Sequence, residues 1–561
     1  MSKQAQAGSH HRPGSSTSGS FHGNILKEST ERVFDKYEIL QVLGQGSMGY
    51  VAKVKVRSGR VGGSATDPKR KKGLFAAFRK HKGPENPKEI EETSNHVYAI
   101  KTIIIEKVSP AFIQELENEI DILRSMDHPH IVKCHEVYKY QKQIYVILEC
   151  CDGGDLYTRS PYSEKQAAKM ISSVLSAVEY MHAHNIVHRD LKYENIMFES
   201  VSHDAAIKVI DFGLSKKFLG QPGIMTDRVG TIYTMSPQVL QGVYSSQADL
   251  WAVGVIAYML LSTSKPFWHK KRRVLVDKIM RVSYTFDAPV WQGLSEQSKD
   301  FCSKLLLMDP KERMTAAMAL QHAWITHREQ LPDELPSEEI LRSVDDSILN
   351  YKDSYFLKKI GLNVIAHRSS TKEIEELRKA FAAYDTSRNG VITFEEFKAA
   401  MTKMNYSDET IAEIFTSLDV NGNQKIMFTE FIAATIEARG LIAEDRIAEA
   451  FDRLDSDDSG YISKSNLKSF LGDDITDEEC KKIMKEADTD QDGKISYKEF
   501  LSIFREQRHA KANAAAKLDH QQASVAADDD GMDLMGIDAK IPGGLYDSAK
   551  LSAGTEAELL K

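Results

Sequence analysis

The sequence predicts an α+β catalytic unit of two lobes, strand-rich first and helical second, followed by an all-α unit built from repeats. Two patterns and one length carry this reading. Between about 35 and 325, short alternating apolar segments give way to long helical periodicities. From Thr371 to about Gln507 one motif recurs four times at a period of roughly 35 residues, the size of a helix–loop–helix unit. At 561 residues the chain has room for about three or four domains.

Composition narrows the class. A net charge of −8 argues against nucleic acid as the main partner. The cysteines (Cys134, Cys150, Cys151, Cys302 and Cys480) form no CxxC pair, which suits free thiols in a reducing compartment. The N-terminus lacks an apolar signal region, and Ser2 in place of Gly excludes N-myristoylation. The longest apolar run, "LWAVGVIAYMLL" at 250–261, falls short of the ~20 residues a membrane span needs and reads as a buried helix. The expectation is a protein of the cytoplasm, with the nucleus also open to it, neither secreted nor membrane-spanning.

In chain order, residues 1–34 are Ser/Gly/His-rich and read as a disordered tail, followed by the catalytic unit at 35–325. A basic insertion at about 58–95 contains "KRKKGLFAAFRKHK". It is compatible with an import signal, an anionic-lipid patch using Leu74, Phe75 and Phe78, or a solvated loop. Residues 326–370 form a connector whose Phe356, Ile360 and Val364 recur at helical spacing, with Lys358 and Lys359 between them. The repeats occupy 371–507, and 508–561 read as a second disordered tail.

Within the catalytic unit, "LGQGSMGYV" places Gly44, Gly46, Gly49 and Val51 in a turn where backbone N–H groups can approach phosphate oxygens without a Cβ in the way. Alone, that pattern is weak. "HVYAIKTI" then puts Lys101 in a strand, and "ENEIDILRSM" puts Glu119 on an amphipathic helix. "IVHRDLKYENIMF" supplies Asp190, Lys192 and Asn195, and "IKVIDFGLSKK" supplies Asp211. Phosphoryl transfer spreads negative charge over the γ-phosphate, so cations must surround it and a carboxylate must receive the hydroxyl proton. A Lys101–Glu119 pair would aim the ammonium at the phosphates. Asn195 and Asp211 would hold Mg²⁺ through hard oxygen ligands, Lys192 would neutralise the moving group, and Asp190 would orient the acceptor hydroxyl.

With "YAIK", "HRDLKYEN", "DFG", "SPQ" and "DLWAVGV" in this order, residues 37–325 resemble the protein-kinase family. The resemblance implies a β-rich N-lobe and a helical C-lobe with ATP between them. It implies that Leu43, Gly44, Gly46, Gly49, Val51 and Ala99 line the nucleotide site. The hinge to adenine would run through Glu149, Cys150 and Cys151, with Leu148 behind the base. It also implies protein Ser/Thr substrates, with Asp155 and Glu194 reading an upstream basic residue. Asp227 stands where many kinases carry a phosphorylated Thr; facing Arg189, its single charge would be weaker than phosphate but permanent. Gln238 replaces a Glu that the family buries against an Arg, matched here by Arg313, which predicts a structural weakening away from the phosphate.

The four repeats carry oxygen-rich loops. Loop one offers Asp385, Ser387, Asn389, the Val391 carbonyl and Glu396; loop four offers Asp488, Asp490, Asp492, the Lys494 carbonyl and Glu499. Oxygen ligands closed by a bidentate Glu at the twelfth place are what Ca²⁺ takes. Loop two keeps Asp419, Asn421, Asn423, Lys425 and Glu430 but has Gln424 where the turn asks for Gly, so binding should weaken by ~1 kcal/mol. Loop three keeps Asp455, Asp457, Ser459 and Tyr461 but ends in Asn466, leaving a weak, Mg²⁺-tolerant or empty site. Ile392, Ile426, Ile462 and Ile495 at the eighth places suit paired loops joined by a short β bridge. This is the EF-hand pattern, in two pairs.

A kinase unit, a connector and four EF-hands in this order resemble the calcium-dependent protein kinase family over about 35–507. The resemblance implies a Ca²⁺-activated Ser/Thr kinase whose connector blocks the substrate cleft until Ca²⁺-loaded hands bind its apolar face. A catalytically dead, calcium-responsive scaffold is the alternative, and the retained Lys101, Asp190, Asn195 and Asp211 speak against it.

Overall fold

The computed structural model describes residues 27–45, 49–57, 97–107, 109–218, 223–329, 338–371, 373–402, 406–440, 442–457, 459–472 and 475–505. The basic insertion, the C-terminal tail expected at 508–561 and Gly46 lie outside the described residues. One compact unit ends at Ile503 and holds everything discussed below; of the unit from Phe504 onward, only Phe504 and Arg505 are described.

The N-lobe is a six-stranded sheet of order β1-β5-β6-β4-β3-β2, from β1 (Lys27–Ser29), β2 (Tyr37–Gln45), β3 (Gly49–Val56), β4 (Val97–Ile104), β5 (Cys134–Tyr140) and β6 (Gln143–Glu149). Period-two burial makes the sheet two-faced: Ala52 and Val54 of β3 and Tyr98 and Ile100 of β4 pack with Tyr37, Tyr138 and Ile147. The expected disordered tail at 1–34 is corrected at its end. Lys27–Ser29 pairs in parallel with β5, and Val33, in the short helix Val33–Lys36, is 1% exposed. The segment is too polar to look like core, but it covers a sheet edge that would otherwise present unpaired amides.

The helix Pro110–Ser125 starts at Ser109, whose hydroxyl accepts from the Phe112 amide, with Pro110 opening the first turn. Leu116, Ile120 and Leu123 bury one stripe of it against the sheet. In the helical C-lobe, a capping box of Ser163 and Gln166 opens the helix Glu164–Ala183. The apolar run noted above is the helix Gln247–Ser262, buried from Ala248 onward in the protein core. No helix among the described residues is long and apolar enough to cross a membrane.

After the C-lobe in the chain the connector forms two helices, Glu338–Lys352 and Phe356–Arg368, and the four helix–loop–helix units follow. Their loops pair through short strands, with Ile392 opposite Ile426 and Ile462 opposite Ile495. The helix Phe356–Arg368 lies against Phe428–Thr435 and Glu444–Leu454, one helix from each EF-hand pair. Its expected single apolar face is corrected: every residue from Leu357 to His367 is buried. Lys358, only 1% exposed, reaches Glu437 at 3.0 Å, and Lys359 donates to the Lys352 carbonyl at 3.0 Å. A cleft with its own acids and carbonyls accepts lysines that would otherwise demand water.

Four carboxylates of the kinase unit are met from the C-terminal half. Asp127 accepts from the Thr429 amide at 2.8 Å and hydroxyl at 2.6 Å. Glu199 takes Arg378 at 2.8 Å, Glu149 accepts from the Thr371 hydroxyl at 3.2 Å, and Glu136 takes Arg368 at 2.9 Å. Glu136, 1% exposed, also receives Lys36, Tyr37 and Tyr138. Burial works to raise the Glu136 carboxyl, but Lys36 and Arg368 outweigh it and hold it well below the usual carboxylate range. Arg368→Met should therefore lower stability by about 3–5 kcal/mol in urea unfolding at neutral pH, because a buried charge loses a buried partner. A depressed carboxyl stabilises above its unfolded pKa and loses that contribution as pH falls. The gap between wild type and variant should accordingly narrow in acid, and a gap independent of pH would contradict the assignment.

Candidate active site and cation loops

Strand pairing sets the cleft. In β4, Ala99 stands opposite Leu148 and Lys101 opposite Val51, and Val51 in turn pairs with Gly44. Gly49 crosses β4 so closely that a Cβ would lie 1.8 Å from the Thr102 carbonyl oxygen. Lys101 Nζ sits 2.6 Å from Glu119 Oε1 and 3.8 Å from Asp211 Oδ1. Burial pulls the Lys101 ammonium down, but the two carboxylates outweigh it and leave its pKa raised, so the charge is secure. A cavity of about 210 Å³ opens onto Lys101, Glu119, Asp190 and Asp211.

Asp190 is the centre of the loop that follows. Its Oδ1 accepts from the Thr231 hydroxyl at 2.7 Å and its Oδ2 from Lys192 Nζ at 2.6 Å, while Lys192 also donates to Thr231 at 3.1 Å. Asn195 Nδ2 donates to the Asp190 carbonyl at 2.9 Å, so the amide oxygen is the atom left to meet a cation. Asp211 adopts a left-handed backbone, φ 61°, just ahead of Phe212, which is buried beside His188. These positions join the sequence-predicted catalytic residues in one constellation. Two contributors were missed. Asp249, 1% exposed, accepts from the backbone N–H groups of His188 and Arg189 at 3.0 and 2.9 Å and so fixes the loop; Thr231 ties Asp190 to the segment after it. The quoted "DLWAVGV" contained Asp249, but nothing in its spacing says that it faces a backbone 60 residues upstream.

The hinge differs in one respect from its expected role. The Glu149 carboxylate is committed to Lys208 at 3.1 Å and to Thr371, leaving the backbone of 149–151 as the surface for a base. Burial works against its ionisation, but Lys208 and Lys133 prevail and hold it at about 2. Burial pushes the Cys150 thiol up to about 11 and holds Cys151 well above the usual thiol range, so both stay neutral. On the opposite flank, Glu194 accepts from the Tyr233 hydroxyl at 2.7 Å, and Asp155 is engaged by Thr158 at 3.0 Å.

Asp227 Oδ2 lies 3.0 Å from Arg189 Nη1 and 3.8 Å from Lys216 Nζ. One carboxylate thus bridges the catalytic loop and the strand after "DFG", where a phosphate would bridge them in other chains. Gln238 keeps its Arg: Arg313 Nη2 donates to Gln238 Oε1 at 3.1 Å, and Arg313 also reaches the carbonyls of Gln247 and Leu307. Burial pulls the Arg313 guanidinium down to about 10, and Gln answers it with a dipole in place of a charge.

All four loops share one backbone plan. The residue at the tight turn is left-handed in each: Gly390 φ 80°, Gln424 φ 64°, Gly460 φ 83° and Gly493 φ 81°. Its amide donates back to the first Asp of the loop, at 2.8 Å to Asp385, 3.1 Å to Asp419, 2.6 Å to Asp455 and 3.0 Å to Asp488. In loop four, ligand atoms of Asp488, Asp490 and Asp492 lie within 4.8 Å of one another, a set that fits a hard cation. In loop one, burial and the nearby Glu396 push the Asp385 carboxyl up to about 7, as expected of an acid gathered beside others. Loop three closes differently: Asn466 Nδ2 donates to Asp457 Oδ1 at 3.1 Å, so an amide crosses where a carboxylate would meet the ion.

The protein kinase domain family matches residues 87–325, and the EF-hand domain pair family matches 356–436 and 444–505, the first match beginning inside the connector. Calcium-dependent protein kinase 21 of Arabidopsis thaliana is 34% identical over 73% of this chain and 78% of its own length. Calcium-dependent protein kinase 2 of Zea mays is 34% identical over 74% and 82%, and calcium-dependent protein kinase 19 of Oryza sativa subsp. japonica 35% over 74% and 79%.

Two outcomes follow from this geometry. Phosphatase-treated protein should keep its transfer activity, whereas Asp227→Ala should lower kcat/KM several-fold; loss of activity on dephosphorylation would show that Asp227 does not substitute for phosphate. Gln238→Ala should lower C-lobe stability by about 1.5–3 kcal/mol, since a charged hydrogen-bond donor is left unanswered, read as a fall in thermal midpoint with little change in KM for ATP.

Proposed function

The chain belongs to the calcium-dependent protein kinase family, and we propose that it transfers the ATP γ-phosphate to protein Ser/Thr under control of its own EF-hands, through the residues placed above. Lys101, held by Glu119, meets the α- and β-phosphates. Asp190 orients the acceptor hydroxyl and takes its proton, and Lys192 neutralises the group in transit. Asn195 and Asp211 are the residues that would hold Mg²⁺, whose chemistry is to neutralise charge on the β- and γ-phosphates. The hinge backbone at 149–151, with Leu43, Val51 and Ala99, receives the base. Five free thiols support a reducing, cytoplasmic setting.

The kinase unit is assigned to 27–325, the connector to 326–370 and the EF-hand unit to 371–507. Loops one, two and four are the Ca²⁺ sites, and loop three, closed by Asn466, is the weak one. The single observation that carries the control is the burial of every residue from Leu357 to His367 between the two EF-hand pairs, Lys358 included. A helix this apolar and this enclosed has no stable place in water. When the hands release it, the substrate cleft is the surface available to it, and Ca²⁺ acts by favouring the enclosed state. The joined Lys101–Glu119 and Arg189–Asp227 pairs accompany that enclosure here.

The test is transfer from ATP to a generic basic Ser/Thr peptide, in chelator and in Ca²⁺, without calmodulin. Calcium should raise the rate at least tenfold, a shift worth about 1.4 kcal/mol between the two states. Equal rates in both would remove the switch, and silence in both would remove the kinase. Glu499→Gln should move the midpoint to higher Ca²⁺ through loss of a bidentate ligand, while Asn466→Gln should leave it in place.

A further inference from the structure

The strand register puts a lysine on the nucleotide face that the phosphate chemistry does not use. In β3, Ala52 and Val54 turn into the sheet core and are fully buried, so Val51 and Lys53 take the opposite face. Lys53 stands across from Ala99 of β4, and Ala99 from Leu148 of β6. These three form one row across adjacent strands, beside the row of Val51, Lys101 and Val146. Lys101, in that second row, reaches Glu119 and Asp211. Lys53 therefore belongs to the adenine end of the same cleft.

Its ammonium crosses the mouth of that cleft. Lys53 Nζ lies 2.7 Å from Asp152 Oδ2, with the lysine side chain 24% exposed and the aspartate 38%. Asp152 follows the hinge backbone of 149–151 and is held by the C-lobe. Its amide donates to the Glu199 carbonyl at 3.4 Å, and the Gly153 amide donates to the Phe198 carbonyl at 3.0 Å. The bond to Asp152 raises the Lys53 ammonium above its ordinary value, although partial burial works against it. Burial dominates the Cys150 thiol, but Asp152 raises it further and Lys53 lowers it, so the pair stands beside the hinge.

One partner thus rides on the N-lobe and the other on the C-lobe. Part-exposed ion pairs contribute little to global stability as a rule. The consequence of this one is positional. β3 is the outgoing arm of the hairpin that carries Gly44 and Gly49, and lifting that arm away from the hinge breaks the pair. At the other end of the cleft, Asn118 of the helix Pro110–Ser125 donates to the Ser215 carbonyl at 3.0 Å, so the cleft is tied on both flanks.

We propose that Lys53 and Asp152 form a latch across the adenine mouth, two positioning residues that slow nucleotide release without touching the reacting phosphate. The proposal rests on the kinase reading above and adds a step to it: product ADP leaves as the pair opens. Product release limits turnover in many enzymes, so a tie at this place bears on a rate as well as an affinity. Because the pair is part-exposed, salt screens it.

The experiment follows, by stopped flow on the full chain with Ca²⁺, the release of ADP carrying a fluorescent ribose label, chased with unlabelled ADP. Lys53→Met and Asp152→Asn should each speed release by about twofold to fivefold at low ionic strength, the range for one part-exposed pair. Wild-type release should quicken as salt rises, while the rates of the variants stay nearly flat. The double variant should release no faster than either single one, since both changes remove the same bond. The exchange Lys53→Asp/Asp152→Lys should return the rate toward wild type. In steady state KM for ATP should rise with no fall in kcat. Unchanged release in the single variants, or effects that add in the double variant and persist in high salt, would overturn the proposal and leave the pair a structural contact. Release needs no transfer, so the two readings separate. A chain that shows this release pattern yet phosphorylates no peptide keeps the latch and fails the kinase reading; one that binds no labelled ADP fails both.

Discussion

A buried carboxylate cannot stand alone, and this constraint joins the two halves of the molecule. Asp127, Glu136 and Glu199 are each at most 6% exposed, and each is met by a residue from beyond position 360. Glu136 is the sharpest case: the N-terminal segment supplies Lys36, the sheet supplies two tyrosine hydroxyls, and the connector supplies Arg368. Stripping such a charge of its cations leaves a desolvated ion worth several kcal/mol. The catalytic half is therefore electrostatically incomplete without the C-terminal half, and a fragment ending near residue 330 leaves these carboxylates without those partners.

What the sequence made legible is what local chemistry forces into a fixed spacing. Phosphate-handling residues and cation loops read clearly because each needs particular side chains a set number of positions apart, whether or not the rest of the chain is known. The strand Lys27–Ser29 escapes the sequence because a three-residue edge strand has too little periodicity to register, and its partner lies over 100 positions away. The burial of Lys358 was hidden for the same reason: its acid, Glu437, sits 79 residues downstream. Thr231 and Asp249 act on the catalytic loop from distances of 41 and 60 residues. A contact of that range is a property of the fold, and a single sequence holds no signal for it.

The two substitutions in the segment after "DFG" have opposite physical characters. Asp227 places a full charge in a partly exposed site, where Arg189 and Lys216 answer it at little desolvation cost. Gln238 removes a full charge from a site where Arg313 is buried, and three oxygen acceptors share the guanidinium instead. The first makes permanent what elsewhere depends on a modification. The second exchanges a charge for a dipole in the C-lobe and leaves the phosphate path untouched.

The way the cation loops are tied to the kinase follows from the first turn of one helix. Thr429 and Glu430 are neighbours at the start of Phe428–Thr435: Thr429 bonds to Asp127 of the kinase unit, and Glu430 closes loop two. A rigid turn cannot move one of them alone, so any shift of Glu430 toward an ion is felt at Asp127. Loop one is held to the same place from the other side of the β bridge. Val391 and Met427 are part of the kinase core, and a Cβ on Gly390 would lie 1.9 Å from the His128 ring. The pair of loops that touches the enzyme therefore includes loop two, with Gln424 strained into a left-handed turn. A site poised by strain loads at higher ion concentration than a relaxed one. Loop four lies in the other pair and bears on the connector instead: Glu486, just ahead of it, accepts from the Phe356 amide at 2.9 Å.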